Sequence, residues 1–204
     1  MSNFKVIKVY PRSFASNSYI LTADGKTAVV IDPSEEGIFE LCNKNGLKCE
    51  CALLTHGHFD HVGGCGELYE NSVPIYCGEK EKELIFSKQY LSIFGGVSVP
   101  KFEIAGTFKD GDEVELCGIK FKVIETPGHT AGSVTYLADD CLFTGDTLFK
   151  GSVGRTDLPT GDFAEILESV QKLSSLAGNY YVYCGHEDDT TLENERENNP
   201  YLNC

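Results

Sequence analysis

The chain has 204 residues, of which 41% are hydrophobic and 11% aromatic, enough for one domain with a sizeable core. Its formal net charge of -14 disfavours nucleic acid as a partner, because phosphates are bound by basic surfaces. Without a run of about 18 apolar residues, the chain is not expected to cross a membrane, and no membrane partner is expected. The first residues lack the pattern of a signal peptide, so we expect a cytoplasmic protein.

The first half of the chain predicts a sheet with interspersed helices. Alternating or continuous apolar residues predict strands at residues 4–9, 17–23, 27–31, 49–54 and 73–77. Asp24 and Gly25 form a hairpin turn between the second and third of these strands. Helices are predicted to end at residues 45–46 and to cover residues 67–70 and 79–88. Residues 89–102 are apolar and aromatic with no clear period, which fits either a lid over a site or a packed surface loop.

The second half repeats this pattern with more strands. Strands are predicted at residues 102–108, 113–117, 119–125, 133–137, 141–144 and 180–184, and a short last helix at residues 192–196. Asp162 opens a longer helix, with Glu165 in the position of a capping box. The apolar stripe of that helix comprises Phe163, Ile166, Leu167, Val170 and Leu173. No linker separates the halves, so we expect a single domain over residues 1–204, with two sheets and helices outside them.

All five histidines of the chain lie where a predicted strand runs into a loop. Four ligand-capable side chains follow the strand at 49–54 within six residues, and they are His56, His58, Asp60 and His61. His129, Asp146 and His186 also follow predicted strands, each directly after a glycine that lets the backbone approach closely. If these strand ends share one edge, seven side chains suited to zinc or its first-row neighbours converge there.

The size and chemistry of this ligand set indicate two metal ions. A catalytic zinc takes three protein ligands and a water, so seven ligands fit two divalent ions about 3.5–4 Å apart with one bridging carboxylate. No cysteine belongs to the set, which favours an open catalytic site over a closed structural zinc site. We expect Zn²⁺, with iron and manganese as alternatives for the same nitrogen and oxygen donors.

The ligand pattern resembles that of a known family. It reads His56-x-His58-x-Asp60-His61, followed by His129, Asp146 and His186. This set resembles the metallo-β-lactamase superfamily over essentially the whole chain, and residues 126–130 and 143–149 are similar to its glyoxalase II (hydroxyacylglutathione hydrolase) branch. The resemblance implies an αββα sandwich of the α/β class. It also implies the ligand assignment, with metal one on His56, His58 and His129, metal two on Asp60, His61 and His186, and Asp146 as the bridge.

The resemblance further implies an activity. A hydroxide between the metals would attack the carbonyl of a small-molecule thioester such as S-lactoylglutathione, and Asp60 would also orient this nucleophile. Asp32 is similar to an aspartate near this edge in the family and is expected to support the ligands. Three alternatives remain open: a mononuclear iron persulfide dioxygenase on the same fold, a metallo-hydrolase of another ester, lactone or lactam, and a non-catalytic metal-binding module.

Two features depart from the longer glyoxalase II enzymes. Those enzymes add a helical C-terminal domain that helps to bind glutathione, whereas only a short tail follows His186 here, as in the short bacterial members. Arg155 sits where the long enzymes place a glutathione-contacting lysine, and the tyrosine expected two positions later is Asp157. Arg155 is therefore predicted either to contact an anionic part of the substrate or to form an ion pair with Asp157.

Overall fold

Two six-stranded sheets form the centre of the computed structural model, which describes residues 2–87 and 100–202. Sheet 1 has the order β1-β2-β3-β4-β5-β6. Its strands are β1 (Lys5–Val9), β2 (Ser18–Thr22), β3 (Thr27–Ile31), β4 (Lys48–Leu53), β5 (Ile75–Gly78) and β6 (Gly106–Phe108). The first three strands pair antiparallel and the rest pair parallel.

Helices connect the parallel strands of sheet 1. They are α1 (Ile38–Lys44), α2 (Phe59–Val62), α3 (Cys65–Glu70) and α4 (Glu79–Ile85). Parallel neighbours need such crossover connections, which place helices over the face of the sheet. Because of this arrangement, β4 and its parallel neighbours all end at the same edge of sheet 1.

Sheet 2 has the order β14-β13-β10-β9-β8-β7. Its strands are β7 (Glu113–Leu116), β8 (Ile119–Glu125), β9 (Val134–Ala138), β10 (Cys141–Gly145), β13 (Tyr181–Cys184) and β14 (Thr190–Thr191). A two-stranded hairpin, β11 (Leu148–Phe149) and β12 (Ser152–Val153), follows β10. Helix α5 (Phe163–Ser174) then crosses to β13, which pairs parallel with β10, and α6 (Leu192–Asn198) follows β14.

Strand alternation sorts the buried side chains into three layers. On β2, Tyr19 and Leu21 face sheet 2, where they pack in the cluster of Phe121 and Phe143. Ile20 faces the opposite way, into the cluster formed with the helices of sheet 1. A third cluster lies between sheet 2 and helices α5 and α6. The result is a helix–sheet–sheet–helix sandwich, so the predicted αββα fold is confirmed.

Several boundaries differ from the predictions. The strand predicted at 102–108 begins only at Gly106, because β6 pairs with β5 at three positions and Phe102 packs instead in the helix-side cluster. The helix predicted at 79–88 ends at Ile85 within the described residues. Helix α2 and strands β11, β12 and β14 were not predicted, since two to four residues carry no readable period. The predicted lid lies mostly outside the described residues, at 88–99. None of the helices in the described parts of the chain has the length and apolar character needed to span a bilayer.

Candidate metal centre

The seven predicted ligands meet at the edge where the two sheets come together. His56 and His58 follow β4, and α2 carries Asp60 and His61. The other three side chains follow strands of sheet 2, namely His129 after β8, Asp146 after β10 and His186 after β13. Backbone hydrogen bonds join the two sheets here, from Val134 N to Thr55 O at 2.9 Å and from Asn17 N to Gly185 O at 2.7 Å. The strand ends therefore share one edge, which is the condition under which the sequence pattern predicts a metal site.

The ligand atoms fall into three overlapping groups, and in each group they all lie within 4.8 Å of one another. The groups are His56, His58 and His129; His56, His61 and Asp146; and Asp60, His61 and His186. The first and last match the two ligand sets that the resemblance implies, and the middle group shares His56 with the first, shares His61 with the last and adds Asp146. This geometry has room for two ions.

Asp146 lies between the two outer groups. Its Oδ2 is 3.5 Å from His129 Nε2 and 3.4 Å from His186 Nε2. Its Oδ1 is 3.2 Å from His61 Nε2. The carboxylate thus reaches ligands of both groups, which is the position that a bridging ligand requires.

Several buried polar atoms at the centre lack a hydrogen-bond partner within the part of the chain that the structure describes and could coordinate a metal instead. His56 Nε2, His61 Nε2 and Asp146 Oδ1 are buried and have no hydrogen-bond partner among the described residues, since the short contact between the last two lacks hydrogen-bond geometry. An unsatisfied buried polar atom costs about 1–3 kcal/mol. Coordination to a cation would satisfy all three atoms, so the residues present fit a metal site.

The three imidazoles assigned to metal one are held neutral. Burial lowers the pKa of His56 well below its usual range and lowers that of His58 to about 3. Burial also lowers the pKa of His129. Neutral imidazole is the form that binds a metal, so this group needs to lose no proton near pH 7.

The two histidines beside the carboxylates of the centre have raised pKa values, in contrast to the three above. Burial opposes the charge on His186, but the carboxylates of Asp146 and Asp60, 3.4 Å and 3.3 Å from its Nε2, raise its pKa to about 9. Burial also opposes the charge on His61, yet the carboxylates of Asp146 and Asp32 raise its pKa well above the usual value. Despite burial, His61 and His186 hold the pKa of Asp146 well below its usual range. A divalent cation would take the place of the protons that balance these carboxylates.

The second nitrogen of several ligand imidazoles is held by the surrounding structure. His61 Nδ1 lies 2.9 Å from Asp32 Oδ2, and His129 Nδ1 donates to the Arg155 carbonyl at 2.7 Å. Asp32 also accepts hydrogen bonds from the backbone N–H and the hydroxyl of Thr55, both at 2.7 Å. These contacts orient the imidazoles so that Nε2 points into the centre. Asp32 therefore supports the ligands without being one of them.

Two glycines allow the strand ends to approach the centre. Gly145, directly before Asp146, has a φ of 50°, and a Cβ there would collide with the side chain of Thr55. A Cβ at Gly185 would collide with Asp146 Oδ1 and crowd the ring of His61. A larger residue at Gly185 would therefore displace two ligands, and one at Gly145 would displace Thr55, which donates to Asp32.

Glu81 connects two ligand-bearing loops, and the sequence analysis did not single it out. Its side chain is fully buried on α4. One carboxylate oxygen accepts a hydrogen bond from the backbone N–H of Gly57, which lies between two ligand histidines, at 2.7 Å. The other accepts from the Thr130 hydroxyl, next to a third, at 2.9 Å. Its spacing from buried Ile85, four positions later on the same helix face, is the signal that could have identified it.

A pocket of about 310 Å³ lies over the metal centre. Beside the ligands, it is lined by Phe59, Phe149, Leu158 and Arg155. The Arg155 guanidinium forms two hydrogen bonds with the Asp157 carboxylate, both at 2.7 Å. Of the two predicted roles of Arg155, the ion pair is therefore observed. Both side chains are more than half exposed, at 61% and 67%, so the guanidinium remains accessible at the rim.

Known proteins are similar to this chain over nearly its whole length. Residues 12–186 match the family described as the Metallo-beta-lactamase superfamily. The hydroxyacylglutathione hydrolase GloC of Haemophilus influenzae is 32% identical over 210 residues, covering 98% of each protein. The crystal structure of the BLEG-1 B3 metallo-beta-lactamase has a TM-score of 0.88 and 31% identity, covering 98% of this chain and 100% of that one. TTHA1623, solved in a di-iron-bound form, has a TM-score of 0.82 and 34% identity, covering 97% and 100%.

Proposed function

This chain belongs to the metallo-β-lactamase superfamily, and we propose that it is a hydrolase of small-molecule thioesters that works with two divalent metal ions. One observation carries the proposal. Seven nitrogen- and oxygen-donor side chains converge at one sheet edge, in groups whose ligand atoms lie within 4.8 Å, and buried atoms among them lack a partner within the described residues. The similarity to a hydroxyacylglutathione hydrolase over 98% of the chain supports a thioester such as S-lactoylglutathione.

The ligand sets divide between the two ions. His56, His58 and His129 would hold one ion, Asp60, His61 and His186 the other, and Asp146 would contact both. When bound, the ions supply a hydroxide near neutral pH and act as Lewis acids toward a carbonyl oxygen. We propose Zn²⁺, and the similarity to a protein solved with two irons makes iron the alternative for the same donors.

Asp60 has the position and the charge to orient the attacking water. Burial opposes its ionisation, but the hydrogen bond with His186 and the nearby His61 lower its pKa, so Asp60 is ionised near neutral pH. Its Oδ2 lies 3.3 Å from His186 Nε2, and its backbone carbonyl accepts a hydrogen bond from Ser16 at 2.9 Å. A fixed carboxylate beside the nucleophile can accept a proton and direct a lone pair at the carbonyl.

The pocket lining suits a substrate with an apolar part and an anionic end. Phe59, Phe149 and Leu158 offer apolar contact beside the centre. Arg155 at the rim can exchange its partner Asp157 for a carboxylate of the substrate. Acyl conjugates of a carboxylate-bearing thiol have both features.

Hydrolysis of a β-lactam is a second candidate function. The observation that favours it is the similarity to the BLEG-1 lactamase, at a TM-score of 0.88 over 98% of the chain. Against a mononuclear dioxygenase, the complete group of Asp60, His61 and His186 favours a second ion.

The proposal is tested with a panel of thioesters, β-lactams and lactones, assayed on one metal-replete preparation. We expect hydrolysis of at least one thioester, loss of activity after chelation, and recovery when Zn²⁺ is added back to the same sample. A metal-replete sample that cleaves β-lactams but no thioester would replace the first candidate by the second. A sample that is inert on the whole panel would reject both.

A further inference from the structure

One wall of the pocket is the hairpin formed by β11 and β12, which we call the pocket wall. Phe149 on β11 lines the pocket, and its ring centroid lies 6.1 Å from that of His186 in an edge-to-face arrangement. The backbone between this hairpin and α5 carries Arg155 and Leu158, which also line the pocket. The position of the pocket wall therefore decides what fits beside the metal centre.

The pocket wall is too short to hold its shape alone. Its two strands pair at only two positions, Leu148 with Val153 and Phe149 with Ser152. A two-stranded hairpin is marginally stable in water even when it is longer. Contacts with the rest of the chain must therefore fix it. Leu148 packs in the core cluster between sheet 2 and helices α5 and α6, and its carbonyl accepts a hydrogen bond from Thr144 Oγ1 at 2.9 Å.

Two buried side chains of the C-terminal segment hold the remaining part of the hairpin, at Phe149, Gly151 and Ser152. Glu195 on α6 accepts a hydrogen bond from the backbone N–H of Gly151, at the turn of the hairpin, at 2.7 Å. The Asn199 side-chain amide donates to the carbonyls of Phe149 at 3.3 Å and Ser152 at 3.1 Å. The same amide donates to Glu195 Oε2 at 2.9 Å, so the two side chains are joined and together bind both strands and the turn of the hairpin.

Burial and hydrogen bonds hold these two side chains in place. Glu195 and Asn199 are both fully buried. The Glu195 carboxylate accepts hydrogen bonds from four donors, which are Gly151 N, Thr190 Oγ1, Asn194 Nδ2 and Asn199 Nδ2. A buried carboxylate is tolerated only when it is hydrogen-bonded in this way, so its position is closely determined.

We propose that Glu195 and Asn199 are positioning residues that set the place of Phe149 against the substrate. The inference rests on the proposed function, because it assigns Phe149 to the contact with the apolar part of the thioester beside the scissile carbonyl. Neither residue touches the metal ligands in the hydrogen bonds described above. Loss of either one should therefore weaken substrate binding and leave the metal content unchanged.

The test compares two variants with matched controls on the same helix and tail. Asn199→Ala and Glu195→Ala are expected to raise KM about tenfold, as for the loss of a hydrogen bond to a buried or charged group, with kcat within about twofold and both metals retained. Asn198→Ala and Glu197→Ala change exposed side chains and should leave KM unchanged. Phe149→Ala should raise KM by a similar factor, and adding Asn199→Ala to it should cause little further change, because both act through the same ring.

Hydrogen exchange of the peptide covering residues 148–153 gives a readout that needs no substrate. Faster exchange in Asn199→Ala and Glu195→Ala than in the two controls is expected. Equal exchange, an unchanged KM in folded variants, or fully additive effects with Phe149→Ala would each overturn the inference. If the wild-type protein hydrolyses no thioester, the proposed function fails, whereas the exchange comparison still decides whether these residues fix the pocket wall.

Discussion

The seven-ligand edge and the pocket wall are both fixed through a fully buried glutamate, but the two glutamates have different partners. Glu81 and Glu195 each accept a hydrogen bond from the backbone N–H of a glycine, at 2.7 Å in both cases. Glu81 also binds a hydroxyl, that of Thr130, which can reverse its donor role. Glu195 accepts from four donors, Gly151 N and Asn199 Nδ2 on Oε2 and Thr190 Oγ1 and Asn194 Nδ2 on Oε1.

The two regions also differ in how much else holds them. The ligand edge is part of two six-stranded sheets and is crossed by backbone hydrogen bonds between them. The pocket wall has two residue pairs of its own and depends on the segment after β14. Under the proposed function, the centre of the fold holds the metal ligands and its periphery holds the wall of the substrate pocket. Metal binding and substrate binding should therefore respond to different substitutions.

The largest effect is expected at the shared carboxylate. Asp146→Ala should lower both the metal content and the rate of hydrolysis, because Asp146 reaches ligands of both groups. Residues that only support a ligand typically cost about 10–100-fold when they are replaced, and the loss here should be larger. Metal analysis and steady-state rates on the same preparation check this. Glu113→Ala, which removes an exposed carboxylate from β7, is the control. Unchanged metal content in Asp146→Ala would refute the bridging role.

Substitutions of the two buried glutamates are expected to affect different properties, metal binding for Glu81 and substrate binding for Glu195. Glu81→Ala should weaken metal binding about tenfold, measured by competition with a chromophoric chelator, because two ligand loops lose their common anchor. Glu81→Gln should restore most of that affinity, since the amide can accept from Gly57 and donate to the Thr130 hydroxyl. Glu195→Gln should keep most of its contacts, since the amide oxygen can accept from Gly151 and Asn199 while the NH₂ faces the Thr190 hydroxyl, which can accept. Glu195→Ala removes all four contacts and should raise KM while leaving metal binding unchanged.

Glu83→Gln, on the exposed side of the same helix α4, is the control for the Glu81 variants. Equal metal affinity in Glu81→Ala and Glu83→Gln would show that Glu81 does not position the ligands. Loss of metal in Glu195→Ala together with unchanged metal affinity in Glu81→Ala would contradict the division between metal binding and substrate binding.

The smallest effect is expected at the rim of the pocket. Arg155→Ala should raise KM for a carboxylate-bearing thioester about threefold, as exposed ion pairs contribute little. Asp157→Asn should lower the same KM, because it frees the guanidinium from its partner. KM measured with a neutral thioester is the control and should change in neither variant. A KM for the anionic substrate that stays constant in both variants would restrict Arg155 to its ion pair.

The ligand edge could be predicted from the sequence because its signals are local. Each ligand follows a strand whose period is readable, and glycine precedes several of them. The pocket wall could not be predicted, since β11 and β12 have two residues each and carry no period. Glu81 and Glu195 were missed for a related reason, because a charged residue in a charged helix looks solvent-exposed until its partners from distant loops are known.

The central claim is that seven side chains bind two metal ions and that thioester hydrolysis needs both. Titration of the metal-free protein with Zn²⁺, with bound metal and hydrolysis followed in the same samples, tests it most directly. We expect binding to saturate at two ions per chain and the rate to reach its plateau only there. Saturation at one ion per chain, or a full rate without metal, would contradict the claim.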